Sequence, residues 1–125
     1  MKIQLEKLEE LGYGKKEAFD YLRTNLSFCG DHIKTIVFTS CTPDEGKSST
    51  VIELGRSISE NGQKVLVIDA DLRKSVLIGR YHARKQEQSK GKGILGLSHY
   101  LSGQAKLEDV LFETNVENLH MIFAG

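Results

Sequence analysis

One stretch constrains the chain more than any other: Thr35-Ile-Val-Phe-Thr-Ser-Cys-Thr-Pro-Asp-Glu-Gly-Lys-Ser-Ser-Thr50. Ile36-Val37-Phe38 reads as a short strand covered on both faces. It leads into a polar loop ending in Gly46-Lys47-Ser48, and the loop leads into a helical pattern. Strand, loop and helix in this order make an anion site, because loop N–H groups converge with the free N–H groups of a helix N-terminus. Lys47 can reach a β- or γ-phosphate there, and the Ser48 hydroxyl can ligate a nucleotide-bound Mg2+. The candidate nucleotide-binding residues are Thr42, Pro43, Asp44, Glu45, Gly46, Lys47, Ser48 and Ser49. The common phosphate-loop pattern has Gly five residues before Gly46, where this chain has Cys41.

The residues that follow lift the motif above chance. Val51, Leu54, Gly55 and Ile58 mark a buried helical stripe, and Asn61-Gly62 is a C-terminal stop. Val65-Leu66-Val67-Ile68 is a second apolar strand running straight into Asp69-Ala70-Asp71. Strand, helix, strand at this spacing predicts two parallel strands joined by a right-handed crossover. Open α/β sheets bind ligands beyond the carboxyl ends of their strands, where both the loop and the two aspartates fall. Lys47, Asp69 and Asp71 are therefore the candidate catalytic residues. Ser48, Asp69 and Asp71 are the candidate metal ligands.

The flanks are less specific. Residues 3–11 and 16–28 predict two helices broken at Gly12-Tyr13-Gly14, an N-terminal helical segment over 1–30. Phe19, Leu22 and Leu26 would form the apolar side of the second. Residues 74–93 read as a mobile, basic surface loop. Short helices are expected from Ser98 to Gly103 and over 107–112, then a third strand over 119–123. With 125 residues the chain reads as one incomplete domain. A formal net charge of zero gives no electrostatic case for nucleic acid. No apolar run approaches the roughly 18 residues of a membrane span. Cys29 and Cys41 lack zinc-site spacing, so a reduced, cytoplasmic protein is expected.

Taken together, Glu17-Ala-Phe-Asp-Tyr-Leu-Arg-Thr-Asn25, the loop from Thr39 to Ser48, Val67-Ile-Asp-Ala-Asp-Leu-Arg73 and Gly96-Leu-Ser-His-Tyr-Leu-Ser-Gly103 resemble the bacterial tyrosine kinases of capsule and exopolysaccharide operons. The resemblance implies an α/β, P-loop NTPase-like fold, a mostly parallel sheet with flanking helices, here C-terminally truncated. It implies transfer of the ATP γ-phosphate to tyrosine hydroxyls with Mg2+, regulating capsular or exopolysaccharide synthesis. Lys47 would hold phosphates, Ser48 the metal, and Asp69 and Asp71 would act on the metal and on the attacking hydroxyl. A tyrosine hydroxyl titrates near pH 10, about three units above neutrality, so a nearby carboxylate acceptor is useful. Implied partners are protein tyrosine substrates and the cytoplasmic tail of a membrane-embedded polysaccharide chain-length regulator, which would recruit the kinase to the inner membrane face. Ring assembly in the family uses Glu-x-x-Arg-x-x-Arg. Here Glu17 and Arg23 flank Asp20, which leaves a homo-oligomer open. Two alternatives stay open: an ATPase switch of the partitioning and cell-division-site type, and a nucleotide-binding adaptor without catalysis.

Overall fold

A strand opens the chain where the sequence predicts a helix over 3–11. Strand β1 (Lys2–Leu5) buries Ile3 and Leu5 and turns Lys2 and Gln4 away, the period-two signature of a strand with one face covered. The computed structural model describes residues 1–8, 10–39, 47–73, 77–85 and 93–125. A four-residue apolar alternation pairs more readily than it nucleates a helix, and a neighbouring strand offers it an edge. That neighbour is β4 (Phe112–Thr114), parallel to β1 with Lys2 opposite Glu113 and Ile3 opposite Thr114. Beyond this pair the Asn115 side chain continues the ladder. Its Oδ1 accepts from the Leu5 N–H at 2.8 Å, and its Nδ2 donates to the Leu5 carbonyl at 3.4 Å.

Helix α1 (Tyr13–Ser27) begins at Gly12 without a side-chain cap. Phe19, Leu22 and Leu26 are half-buried, as their spacing predicts, while Ala18 and Cys29 are exposed. α1 lies on α2 (Lys47–Glu60) through a polar seam. Ser57 Oγ donates to Asp20 Oδ1 at 2.7 Å, and Arg23 Nη1 donates to the Ser57 hydroxyl and carbonyl, each at 3.2 Å. This seam explains why α2 buries Ser57 as well as Ile52 and Leu54. Helix α2 is covered by α1 on one side and by the sheet on another.

The sheet has five strands among the described residues, in the order β2-β5-β4-β1-β3. β2 (Val65–Ile68) runs parallel to β5 (Leu119–Ile122). β5 is antiparallel to β4, and β1 is antiparallel to β3 (Ala83–Lys85). Between them lie three short helices, α3 (Leu77–Arg80), α4 (Leu97–Leu101) and α5 (Leu107–Val110). The core gathers Ile3, Leu5, Ile52, Phe112, Leu119 and Met121, with Phe123 tilted against Phe112 at 5.9 Å between ring centres.

Three further expectations need correction. Residues 33–39 form no strand: Ile36 is exposed and Val37 is 85% exposed. The strand expected to pair around that position, β2, pairs instead with β5, and β5 already has β4 on its other side. The stretch 36–38 thus does not lie between β2 and β5, and the other edge of β2 is unpaired among the described residues. Strand β2 itself is covered on one face only, with Val67 buried but Leu66 47% and Ile68 51% exposed. Finally, part of the expected loop over 74–93 is ordered structure, since it contains α3 and β3.

Candidate nucleotide site

Lys47, Ser48 and Ser49 form the first turn of α2, each half-buried. A helix start is where backbone N–H groups lack intrahelical partners and where the macrodipole favours anions. No acidic residue occupies this first turn to compete for that position. Thr42, Pro43, Asp44, Glu45 and Gly46 lie outside the described residues.

Asp69 follows directly on β2 and is 9% exposed. Its N–H donates to the Ile122 carbonyl at 2.9 Å, extending the β2–β5 ladder by one bond. Its Oδ1 accepts from the Asp71 N–H at 3.0 Å, a tight side-chain-to-backbone turn that fixes the carboxylate. Asp71 is exposed.

The two halves of the site meet by direction. α2 ends at Glu60 and β2 starts at Val65, joined through Gly62 in the left-handed region at φ +87°. The helix therefore runs back over the strand. Gly55 makes this close: a Cβ there would lie 3.1 Å from Val67 Cγ2 and 3.4 Å from Leu119 Cδ1. A helix of 14 residues spans about 21 Å and a strand of four about 13 Å. The start of α2 thus overhangs the end of β2 from which Asp69 and Asp71 emerge. Lys47 and Ser48 stand on that side with the two aspartates, at the carboxyl end of β2.

Hydroxyl and carboxylate oxygens are the donors Mg2+ takes, one or two from protein with phosphate and water completing the set. Ser48, Asp69 and Asp71 fit that requirement by chemistry. Among the described residues no group of three or more His, Cys, Asp or Glu assembles to hold a metal by itself.

Arg80 escaped the sequence reading, which placed it within the basic surface loop over 74–93. Its Nη1 donates to Ser49 Oγ at 2.7 Å and ties α3 to the first turn of α2. The partners are 31 residues apart, and nothing local in the sequence signals the bond.

The fold is that of an α/β protein with a helix start free of acidic residues and two aspartates directly after a strand. The chain belongs to the AAA domain family, which matches it over residues 33–125. It is 38% identical over all 125 residues to the tyrosine-protein kinase CpsD of Streptococcus pneumoniae and covers 52% of that protein. To the tyrosine-protein kinase CpsD of Streptococcus agalactiae it is 41% identical over 110 residues, 88% of this chain and 45% of that protein. Among solved structures it superposes on the BceF tyrosine kinase domain with a TM-score of 0.73 at 37% identity, covering 88% of this chain and 41% of that one. The chain spans about half the length of the curated relatives it matches. The resemblance to bacterial tyrosine kinases seen in the motifs holds along the chain, and it implies a nucleotide ligand. Among the described residues no helix is long and apolar enough to cross a membrane.

Proposed function

We infer that this chain carries the nucleotide-binding part of an ATP-dependent protein-tyrosine kinase that acts in capsule or exopolysaccharide synthesis. The observation that carries this reading is the packing of α2 against β2 at Gly55, which runs the helix back over the strand and supports Lys47 and Ser48 lying toward the end from which Asp69 and Asp71 emerge. Similarity to tyrosine-protein kinases over the whole chain supports it.

The chemistry is phosphoryl transfer, which depends on positioning and on neutralising charge more than on covalent participation by the protein. In this reading Lys47 and the first-turn N–H groups of α2 hold the β- and γ-phosphates of ATP. Ser48 and one aspartate hold Mg2+, which when bound offsets phosphate charge. The other aspartate accepts the proton of the incoming tyrosine hydroxyl. Asp69, held by the Asp71 N–H, is the more rigidly oriented of the two. Protein substrates, a membrane-embedded chain-length regulator as activator, a homo-oligomer, and recruitment to the inner membrane face from the cytoplasm belong to the same proposal.

A nucleotide-binding adaptor without transfer is the second reading. It is favoured by residues 33–39 lying outside the sheet, where the sequence predicts a strand leading into the phosphate loop. Calorimetric titration of the chain with ADP, with and without Mg2+, followed by phosphotyrosine detection after ATP addition, tests both. Magnesium-dependent binding with phosphotyrosine supports the kinase. Binding without phosphotyrosine favours the adaptor, and no binding by a folded chain removes both.

A further inference from the structure

A groove of about 850 Å3 that contains neither Lys47 nor the aspartate pair lies between α1, the segment after β1, α3 and the first two turns of α2. Its volume falls within the usual range for ligand-binding clefts. Leu8, Leu11 and Phe19 line it with apolar surface and remain only half-buried. Lys7, Lys15 and Arg80 line it with positive charge, and all three are exposed. The walls are tied together. The Lys7 N–H donates to the Tyr81 carbonyl at 3.1 Å, and Arg80 is held to α2 through Ser49. The carboxylate among the lining residues, Glu53, is buried 3.7 Å from Arg56. Glu6, next to Lys7, pairs with Arg84 at 3.5 Å. Among the described lining residues the exposed charge is therefore cationic.

We propose that this groove docks an acidic peptide segment through one aromatic or aliphatic side chain seated on Leu8, Leu11 and Phe19, with flanking carboxylates on Lys7, Lys15 and Arg80. Apolar anchoring fixes position, and the cations select for acidic flanks. Charge complementarity decides the occupant: a neutral apolar segment would leave three cations facing it, and a basic one would be repelled. The groove is lined by neither Lys47, Asp69 nor Asp71, so the interaction is read in the absence of nucleotide and its failure is distinguishable from that of the kinase reading.

The test is fluorescence anisotropy with a fluorescein-labelled peptide Glu-Glu-Asp-Tyr-Leu-Glu-Glu and its counterpart with lysine at each acidic position. Each is titrated with the 125-residue chain in the absence of nucleotide. The acidic peptide should bind saturably, weaken on raising salt from about 0.02 M to about 0.3 M, and leave the basic counterpart unbound. The double variant Lys7→Glu/Lys15→Glu should bind at least about tenfold more weakly, as expected for two lost and reversed surface ion contacts. Lys15→Glu puts a carboxylate into the first turn of α1, which favours the helix, so lost binding would not reflect lost folding. The neutral pair Lys7→Gln/Lys15→Gln should give an intermediate loss with an unchanged circular dichroism spectrum. Four results would each overturn the proposal. These are no binding up to about 1 mM (a ΔG of about −4 kcal/mol), equal binding by the double variant, displacement of bound peptide by ADP, or a wild-type dimer that the double variant converts to monomer.

Discussion

Replacing Asn115 by Ala tests whether the first residues form a strand. The Leu5 N–H is bonded at 2.8 Å to Asn115 Oδ1, and Leu5 is buried. Removing the side chain leaves that donor without its acceptor, at a cost of about 1–3 kcal/mol. The second bond, at 3.4 Å, is long and adds little. A loss of about 2 kcal/mol is therefore expected, a large share of the roughly 5–15 kcal/mol that holds a domain folded. In a domain of this size it corresponds to a drop in Tm of about 8 °C. Ile3→Ala, at a fully buried site, should cost about 2–5 kcal/mol. Lys2→Ala, one residue away on the opposite face, should stay within about 0.5 kcal/mol. Urea unfolding followed by far-ultraviolet circular dichroism measures all three. A helix over 3–11 would be indifferent to Asn115. If Asn115→Ala and Ile3→Ala both stay within about 0.5 kcal/mol of the parent chain, β1 is not paired and the reasoning fails.

Asp20→Ala and Ser57→Ala should be non-additive by about 0.5–1.5 kcal/mol in a double-mutant cycle, since the two side chains share a 2.7 Å bond; additive costs would mean the α1–α2 seam is incidental. Lys47→Met should weaken ADP binding by at least about tenfold, the loss of one charge-assisted phosphate contact of about 1.5 kcal/mol or more. Calorimetric affinity equal to wild type would sink the phosphate assignment.

What the sequence disclosed follows from how local each signal is. β2 was legible because four consecutive apolar residues announce a strand by themselves, and β5 because Leu119, Met121 and Ile122 do so around a single histidine; the position of Asp69 at a strand end follows from the β2 run. β3 was not, because Ala-Arg-Lys at a sheet edge needs little apolar surface and reads as loop. For β1, alternation over four residues competes with helical spacing through Leu8 and Leu11, and only the partner β4 decides between them. Ile36-Val37-Phe38 failed for the converse reason. Apolar character says what a segment gains by burial, but not that a neighbour exists to pair with it. The Asp20–Ser57 and Arg80–Ser49 contacts span 37 and 31 residues, beyond any local pattern. Asp20, the departure from the family's ring-assembly motif, is engaged within its own chain.

Helix α2 ties these observations together, because it carries the candidate phosphate-binding side chains at one end, the seam with α1 on one side and a close approach to the sheet on another. Gly55 lies eight residues after Lys47, about 12 Å along the helix axis. A valine there would press its methyl groups toward Val67, where even a Cβ sits at 3.1 Å. The helix would have to rise off β2 and β5, at a cost of about 1–3 kcal/mol. That movement carries its first turn away from Asp69, which the Ile122 and Asp71 bonds keep with the sheet. Gly55→Val should therefore lower both stability and magnesium-dependent ADP affinity. Ser57→Ala, which loosens α1 without lifting α2 from the sheet, should lower stability alone. Equal effects of the two variants on affinity would show that the α2–sheet contact does not set the geometry of the site.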